Sequence, residues 1–306
     1  MAYSKSDNYI IVNYHYVEDP SPEFSGIYPC SVKDFEKQVQ FLSENYKIVS
    51  VSELVEATRD GKSGKYCVIT FDDGLKDQYI NAFPILKKYN ATATFFPITS
   101  VFEGHLPTAH KVHILLSRLS PEKIIDTFHD FMQNFYPDLK KQYIIPKDRR
   151  LTERRLHETI SIANFKETMI MLPEDIKGQF LRYGFKIFGL NEKEISQRLF
   201  MSKQEVKSLH QAGMTIGSHS HNHSAFDIGN KDIMQKDIRL SKEILFDLLG
   251  NRQDIFSYPH GRNGPAVLEV LASEGFKYAL TIDRRSILSS DNDFLLPRYD
   301  TADIVF

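Results

Sequence analysis

The chain has 306 residues, 42% hydrophobic and 25% charged, proportions of an ordinary globular protein forming one large α/β domain or two smaller ones. A formal charge of −2 argues against nucleic-acid binding, and two cysteines, Cys30 and Cys67, give no disulfide framework. No apolar run approaches the roughly 20 residues that span a bilayer, and the first residues lack a signal peptide's basic start and apolar core, so a cytoplasmic protein is expected.

A first strand is predicted over Ile10–Tyr14, running into Tyr14-His15-Tyr16. An imidazole there, with an ordinary pKa of about 6.5, suits proton delivery to a departing amine near neutrality. Alone, such a residue is more often a half-buried structural histidine. Phe35, Val39, Phe41 and Leu42 mark an amphipathic helix, and Ile48–Val51 reads as a second strand. The next strand, Tyr66–Phe71, ends in Thr70-Phe71-Asp72-Asp73-Gly74, with two adjacent carboxylates before a glycine that permits a turn. A helix over Ile80–Tyr89 leads to a strand at Thr92–Pro97.

Between 104 and 200 the alternation stops. Apolar positions such as Ile124, Phe128, Phe131 and Phe135 keep helical spacing, so this segment is expected to be a helical insertion. Ser202 and Glu205 form a capping-box pattern for a helix to Ala212, stopped by Gly213. A strand at Met214–Gly217 runs into Gly217-Ser218-His219-Ser220-His221-Asn222-His223, where His219 and His223 stand four residues apart and His221 is expected to be solvated. A helix over Ile233–Leu249 precedes a strand at Ile255–Tyr258, followed by Pro259-His260-Gly261. Such a rigid loop can aim a backbone N–H at oxyanion charge, and a plain strand-to-helix turn fits the spacing as well. A helix from Pro265 to Gly275 and strands at Tyr278–Ile282 and Phe294–Arg298 complete the chain. The remaining histidines, His105, His110, His113, His129, His157 and His210, read as packing or surface groups.

Strands alternating with helices imply a parallel sheet with helices outside, closed into a barrel of about seven or eight units whose reactive residues lie at the strands' C-terminal ends. Residues 1–306 are read as a single barrel domain with 104–200 inserted in it. Both carboxylates and both imidazoles fall at such ends. One carboxylate and two imidazoles make a three-ligand set for a divalent metal, and the other carboxylate is left as a base for the metal's water. Each string alone is more often structural, since Asp-Asp-Gly favours turns and histidine-rich loops are often only solvated. Together they indicate a metallohydrolase.

At these residues the sequence resembles the polysaccharide deacetylases of carbohydrate esterase family four. Thr70-Phe71-Asp72-Asp73-Gly74 matches that family's first motif, and His219-Ser220-His221-Asn222-His223 its second. The resemblance covers roughly residues 8–103 and 200–300 and implies a deformed, usually seven-stranded (β/α) barrel. It also implies Asp72 as catalytic base and Asp73, His219 and His223 as ligands of a divalent ion, commonly zinc, with Co2+, Ni2+ or Mn2+ as substitutes. The family's third motif begins with arginine and contains tyrosine; here Ser257 and His260 stand in those places, within Phe256-Ser257-Tyr258-Pro259-His260-Gly261. There is no tryptophan, so the fourth motif is missing, and no late Leu-x-His supplies an acid. A circularly permuted subgroup acting on poly-N-acetylglucosamine is similar on all three counts. By that likeness His15 is the general acid, Arg298 in Leu296-Pro297-Arg298 pairs with Asp72, and Tyr258, Pro259 and His260 form the oxyanion and substrate-binding loop.

The implied activity is removal of acetyl from an N-acetylated sugar or oligosaccharide in glycan or surface-polysaccharide biosynthesis. The alternatives are a deformylase or amidohydrolase acting on another C–N bond, and a non-catalytic glycan-binding protein on the same fold. A non-haem iron oxygenase also uses two histidines and a carboxylate, but the second aspartate suits a hydrolytic base better.

Overall fold

A computed structural model describes residues 7–20, 29–153, 156, 158–226 and 230–304. His157 and the first six residues lie outside them. The chain divides into two compact units, one of Met1–Asp19, Pro29–His105 and Ser196–Phe306, the other of Pro20–Tyr28 and Leu106–Ile195.

The first unit opens with β1 (Tyr9–Tyr14), α1 (Val32–Asn45), β2 (Lys47–Ile48), α2 (Val51–Arg59) and β3 (Tyr66–Asp73). After α3 (Phe83–Lys88) and β4 (Thr94–Pro97), the chain passes through α4 (Thr108–Arg118), α5 (Pro121–Phe135), α6 (Ile160–Met171), α7 (Glu174–Ile187) and α8 (Glu192–Leu199). It resumes with α9 (Lys203–Gln211), β5 (Thr215–Ile216), α10 (Lys231–Leu249), β6 (Ile255–Ser257), α11 (Pro265–Ser273), β7 (Tyr278–Leu280) and β8 (Tyr299–Asp300).

All strand pairs are parallel, in a main sheet of order β5-β4-β3-β1-β8 and a pair β6-β7. Parallel strands covered by helices are buried on both faces, which is why β1 and β3 carry the uninterrupted apolar stretches Ile10–Val12 and Cys67–Ile69 rather than an alternating pattern. Ile10, Ile11 and Val12 are fully buried, and Phe71 of β3 stacks on Phe95 of β4 at 4.6 Å. β2 pairs the beginning of β3, Lys47 with Tyr66 and Ile48 with Cys67; β4 pairs its end, from Thr70 with Thr94 to Asp73 with Pro97. Asp72 and Asp73 are the last residues of β3, at its C-terminal end.

The predicted second strand stops short. Ser50 and Glu53 form a full capping box, so Val51 starts a helix instead of ending a strand. The predicted last strand is displaced: Leu296 makes one bridge to Leu280, and β8 begins after Arg298. Pro297 has no N–H for a ladder, and the N–H of Arg298 turns to the Asp283 carbonyl at 2.9 Å. The helix expected from Ile80 begins instead as a wide π turn over Gln78–Ala82 before α3.

In the second unit, Phe180 of α7 meets Phe128 and Phe131 of α5 at 5.0 and 5.5 Å, and Phe165 of α6 at 6.2 Å. Phe135, expected on the same buried stripe, is 56% exposed at the helix's last residue. No helix among the described residues is long and apolar enough to cross a membrane.

Candidate active site

The adjacent aspartates part company through backbone geometry. Asp73 has φ 72° and Gly74 φ 74°, so the strand's alternation ends between the two carboxylates. A Cβ on Gly74 would stand 2.8 Å from Pro97 Cα, so the turn requires glycine on steric as well as conformational grounds. The Gly74 carbonyl accepts the Met201 N–H at 2.9 Å, tying the turn to the entry of α9.

Asp72 is 2% exposed and gripped by arginine. Arg298 Nη1 donates to Oδ1 at 2.9 Å and Nη2 to Oδ2 at 2.8 Å, a bidentate pair; Asn13 Nδ2 adds a bond to Oδ2 at 3.1 Å. Arg298 is itself 1% exposed, and its other donors reach the Thr281 carbonyl, Asn13 Oδ1 and Ser257 Oγ at 2.8, 2.9 and 3.0 Å. Burial would raise the Asp72 carboxyl, but the Arg298 guanidinium, with His219 and His15 behind it, holds it down at about 2. His15, 43% exposed, puts Nε2 4.0 Å from Asp72 Oδ2.

Asp73 faces the other way. Its Oδ1 lies 3.4 Å from Nε2 of both His219 and His223, and one ligand atom from each of the three residues falls within 4.8 Å of the others. His219 Nδ1 donates to the Ser257 carbonyl at 2.8 Å, the outer hydrogen bond that fixes a ligating imidazole's tautomer. Burial works against charge on His219, yet the carboxylates of Asp72 and Asp73 raise its pKa, so the cluster favours a positive charge at its centre. Two imidazoles and a carboxylate, all buried, with positions left for water and substrate, fit a divalent transition metal.

The loop carrying the imidazoles is folded by groups the sequence did not single out. Asp237 of α10 accepts the N–H groups of His221 and Asn222 at 2.8 and 3.0 Å, and Asn222 Nδ2 at 2.7 Å. Ser220 and His223 take positive φ, and the His223 N–H bonds Ser220 Oγ at 3.0 Å. Asp237 lies in the buried stripe Met234, Asp237, Ile238, Ser241 and Leu245, and an acid on an apolar helix face was the available signal. His221 is not solvated as expected: it is 8% exposed, its Nδ1 3.0 Å from Thr99 Oγ1. Asn13 was also missed, a buried amide inside the apolar strand β1.

In the third string, His260 is exposed, holds φ 57° and sets its ring 4.4 Å from that of His223. Tyr258 does not share that position. Its hydroxyl donates to the Phe294 carbonyl at 2.8 Å and its N–H to the Leu280 carbonyl at 3.2 Å, so it has no donor left for a substrate. Pro259 is buried and has no N–H.

Beside the site, Asp77 Oδ2 accepts the Val17 N–H at 2.7 Å. Burial pushes the Asp77 carboxyl up to about 7; the Val17 N–H opposes the rise and the Glu18 carboxylate adds to it. A carboxyl raised above its unfolded value costs stability as pH climbs between the two values. Asp77→Asn, which cannot ionise, is therefore expected to gain on the native protein by about 4 °C in melting temperature between about pH 5 and 8. A gap that stays constant with pH would show that Asp77 titrates normally.

The chain is similar to the poly-beta-1,6-N-acetyl-D-glucosamine N-deacetylase of Staphylococcus aureus, 22% identical over 305 residues, covering 96% of this chain and 74% of that protein. Among solved structures it is similar to the Streptococcus pyogenes deacetylase PplD in complex with acetate, with a TM-score of 0.62, 19% identity and coverage of 96% and 93% of the two chains. IcaB from Ammonifex degensii gives a TM-score of 0.58, 17% identity and coverage of 96% and 91%. At these identities the structures speak for the fold alone. The family model for polysaccharide deacetylase matches residues 59–139 and 156–279, and the chain belongs to that family.

Proposed function

We propose that the protein is a metal-dependent N-deacetylase acting on an N-acetylated glycan of the poly-N-acetylglucosamine type, in surface-polysaccharide biosynthesis. The convergence of Asp73, His219 and His223 beside an arginine-held Asp72 carries this reading. Asp73, His219 and His223 would hold the ion, with zinc the first choice. When bound, a divalent ion acidifies water toward a pKa of about 7 and polarises a carbonyl oxygen.

The chain's own groups supply the proton traffic. Asp72 takes a proton from the attacking water as its oxygen bonds to the acetyl carbon. Oδ2 already accepts two hydrogen bonds and Oδ1 one, so Oδ1 keeps a lone pair for that proton. His15 delivers a proton to the sugar nitrogen as the C–N bond breaks, releasing acetate and a free amine. The His260 backbone N–H, on the kinked loop beside His223, is proposed as the oxyanion donor, without Tyr258 or Pro259.

We also read the fold as a closed, deformed (β/α) barrel of the seven-stranded kind, with 104–200 as its helical insertion. Single bridges support the closure: Ser218 to Phe256 links the end of β5 to β6, and Leu280 to Leu296 links β7 to the segment before β8.

Acetate release from N-acetylglucosamine oligomers, measured with chelator and after zinc is added back, tests the function. Turnover is expected to vanish on chelation and return with metal. Asp73→Ala and His219→Ala are expected to lose metal retention outright, read by metal analysis of the folded protein. Undiminished turnover by metal-free protein would overturn the reading.

A further inference from the structure

His15 lies one residue past the β1–β3 ladder, which ends at Tyr14 with Phe71, so the sheet does not fix its backbone. Two other sets of bonds do. On one edge of the segment, Cys30 serves as a partner: its N–H donates to the Tyr16 carbonyl at 3.0 Å and its carbonyl accepts the Glu18 N–H at 3.1 Å. On the other edge, side chains from the turn after the aspartates occupy the intervening groups. Gln78 Nε2 donates to the His15 carbonyl at 2.9 Å, Asp77 Oδ2 accepts the Val17 N–H at 2.7 Å, and Asn81 Nδ2 donates to the Val17 carbonyl at 2.8 Å. Three side chains thus do what a neighbouring strand would do.

Gln78 does more. The same Nε2 donates to the Asp72 carbonyl at 2.6 Å, so one buried amide ties the backbone of residue 15 to that of residue 72. Gln78 and Asn81 belong to a π turn, Gln78–Ala82, whose extra residue per turn changes which side chains share a face, and Asp77 immediately precedes it. The imidazole of His15 is half-exposed, with Nε2 4.0 Å from Asp72, so its position depends on where its backbone is held.

We propose that Gln78, Asn81 and Asp77 are positioning residues that set the separation of His15 from Asp72 and thereby its aim at the leaving nitrogen. This rests on the reading of His15 as the general acid. An amine must be protonated as it leaves, whereas p-nitrophenolate departs without help. Misaim of an acid therefore slows amide cleavage far more than cleavage of an activated ester.

The test compares kcat on N-acetylglucosamine oligomers with kcat on p-nitrophenyl acetate, using the metal-loaded full chain and Gln78→Met, Asn81→Ala and His15→Ala. The amide-to-ester ratio is expected to fall about 10- to 100-fold in Gln78→Met, with metal content and amide KM near native, and several-fold in Asn81→Ala. In His15→Ala it is expected to fall about 10²- to 10⁴-fold. A structural role alone would lower both activities together. If His15→Ala lowers the ratio and the other two leave it at the native value, the positioning role is overturned and the acid assignment stands. If His15→Ala leaves the ratio unchanged, the acid assignment falls and the positioning role with it. Asn81 is only half-buried, so Asn81→Ala decides the question if Gln78→Met does not fold.

Discussion

Asp72→Asn is expected to keep its metal and lose turnover by about 10²- to 10⁴-fold, the range for removal of a general base. The substitution lies outside the Asp73, His219 and His223 cluster, so metal content should match the native protein's. It also removes the charge that neutralises a guanidinium exposed by only 1% and sets an amide N–H2 among the donors of Arg298 and Asn13. Breaking such a buried pair costs about 3–5 kcal/mol, so a falling melting temperature should accompany the lost activity. Metal analysis, kcat and thermal unfolding on one preparation separate the three effects. Native kcat in this variant would eliminate Asp72 as the base. A carboxylate held at about 2 is a weak base, so proton removal by Asp72 is easier from water whose own pKa is lowered. A divalent ion held by the neighbouring Asp73 cluster would supply that lowering.

Much of the fold was legible because long buried strands announce themselves. β1 and β3 carry the apolar runs Ile10–Val12 and Cys67–Ile69, and the predicted helix stripes returned as α1, α9, α10 and α11. Two-residue strands carry no such signal, and a capping box at Ser50 outweighed the β propensity of Val49 and Val51. The chemistry-bearing strings were legible because polar residues beside strand ends stand out from the runs before them. Their supports were not. Arg298 and Asp72 are 226 positions apart, and no local pattern links them; only the likeness to a family suggested the pairing. Asn13, Gln78 and Asp237 are single polar residues within apolar or helical stretches, and what each bonds is decided by tertiary packing. Tyr258 shows the reverse error: a motif position next to the site is no guarantee that its side chain faces it.

Arg298→Met is expected to invert the pH dependence of stability around Asp72. In the native protein the carboxyl is held at about 2, below its ordinary value of 3.8. The stability this contributes is fully present above about pH 4 and is lost as pH falls toward 2. Without the guanidinium, burial becomes the dominant influence and pushes the carboxyl above its ordinary value. Ionising it then costs stability, so the variant's deficit against the native protein should be smallest toward pH 2, where the carboxyl is protonated in both, and grow toward neutrality, to about 3–5 kcal/mol at pH 7. Ser257 offers a rescue that a generic packing defect would not. Its Oγ lies 3.0 Å from Arg298 Nη2, at the position where the family's third motif places arginine, so a guanidinium from β6 can enter the space that methionine at 298 vacates. Ser257→Arg alone should destabilise, because two guanidinium groups would compete for one carboxylate. Combined with Arg298→Met it should recover stability at neutral pH and part of the turnover. A double-mutant cycle on unfolding free energy and kcat measures the coupling. Strictly additive effects would mean that the charge beside Asp72, from whichever strand it comes, is not what holds the base in its working state.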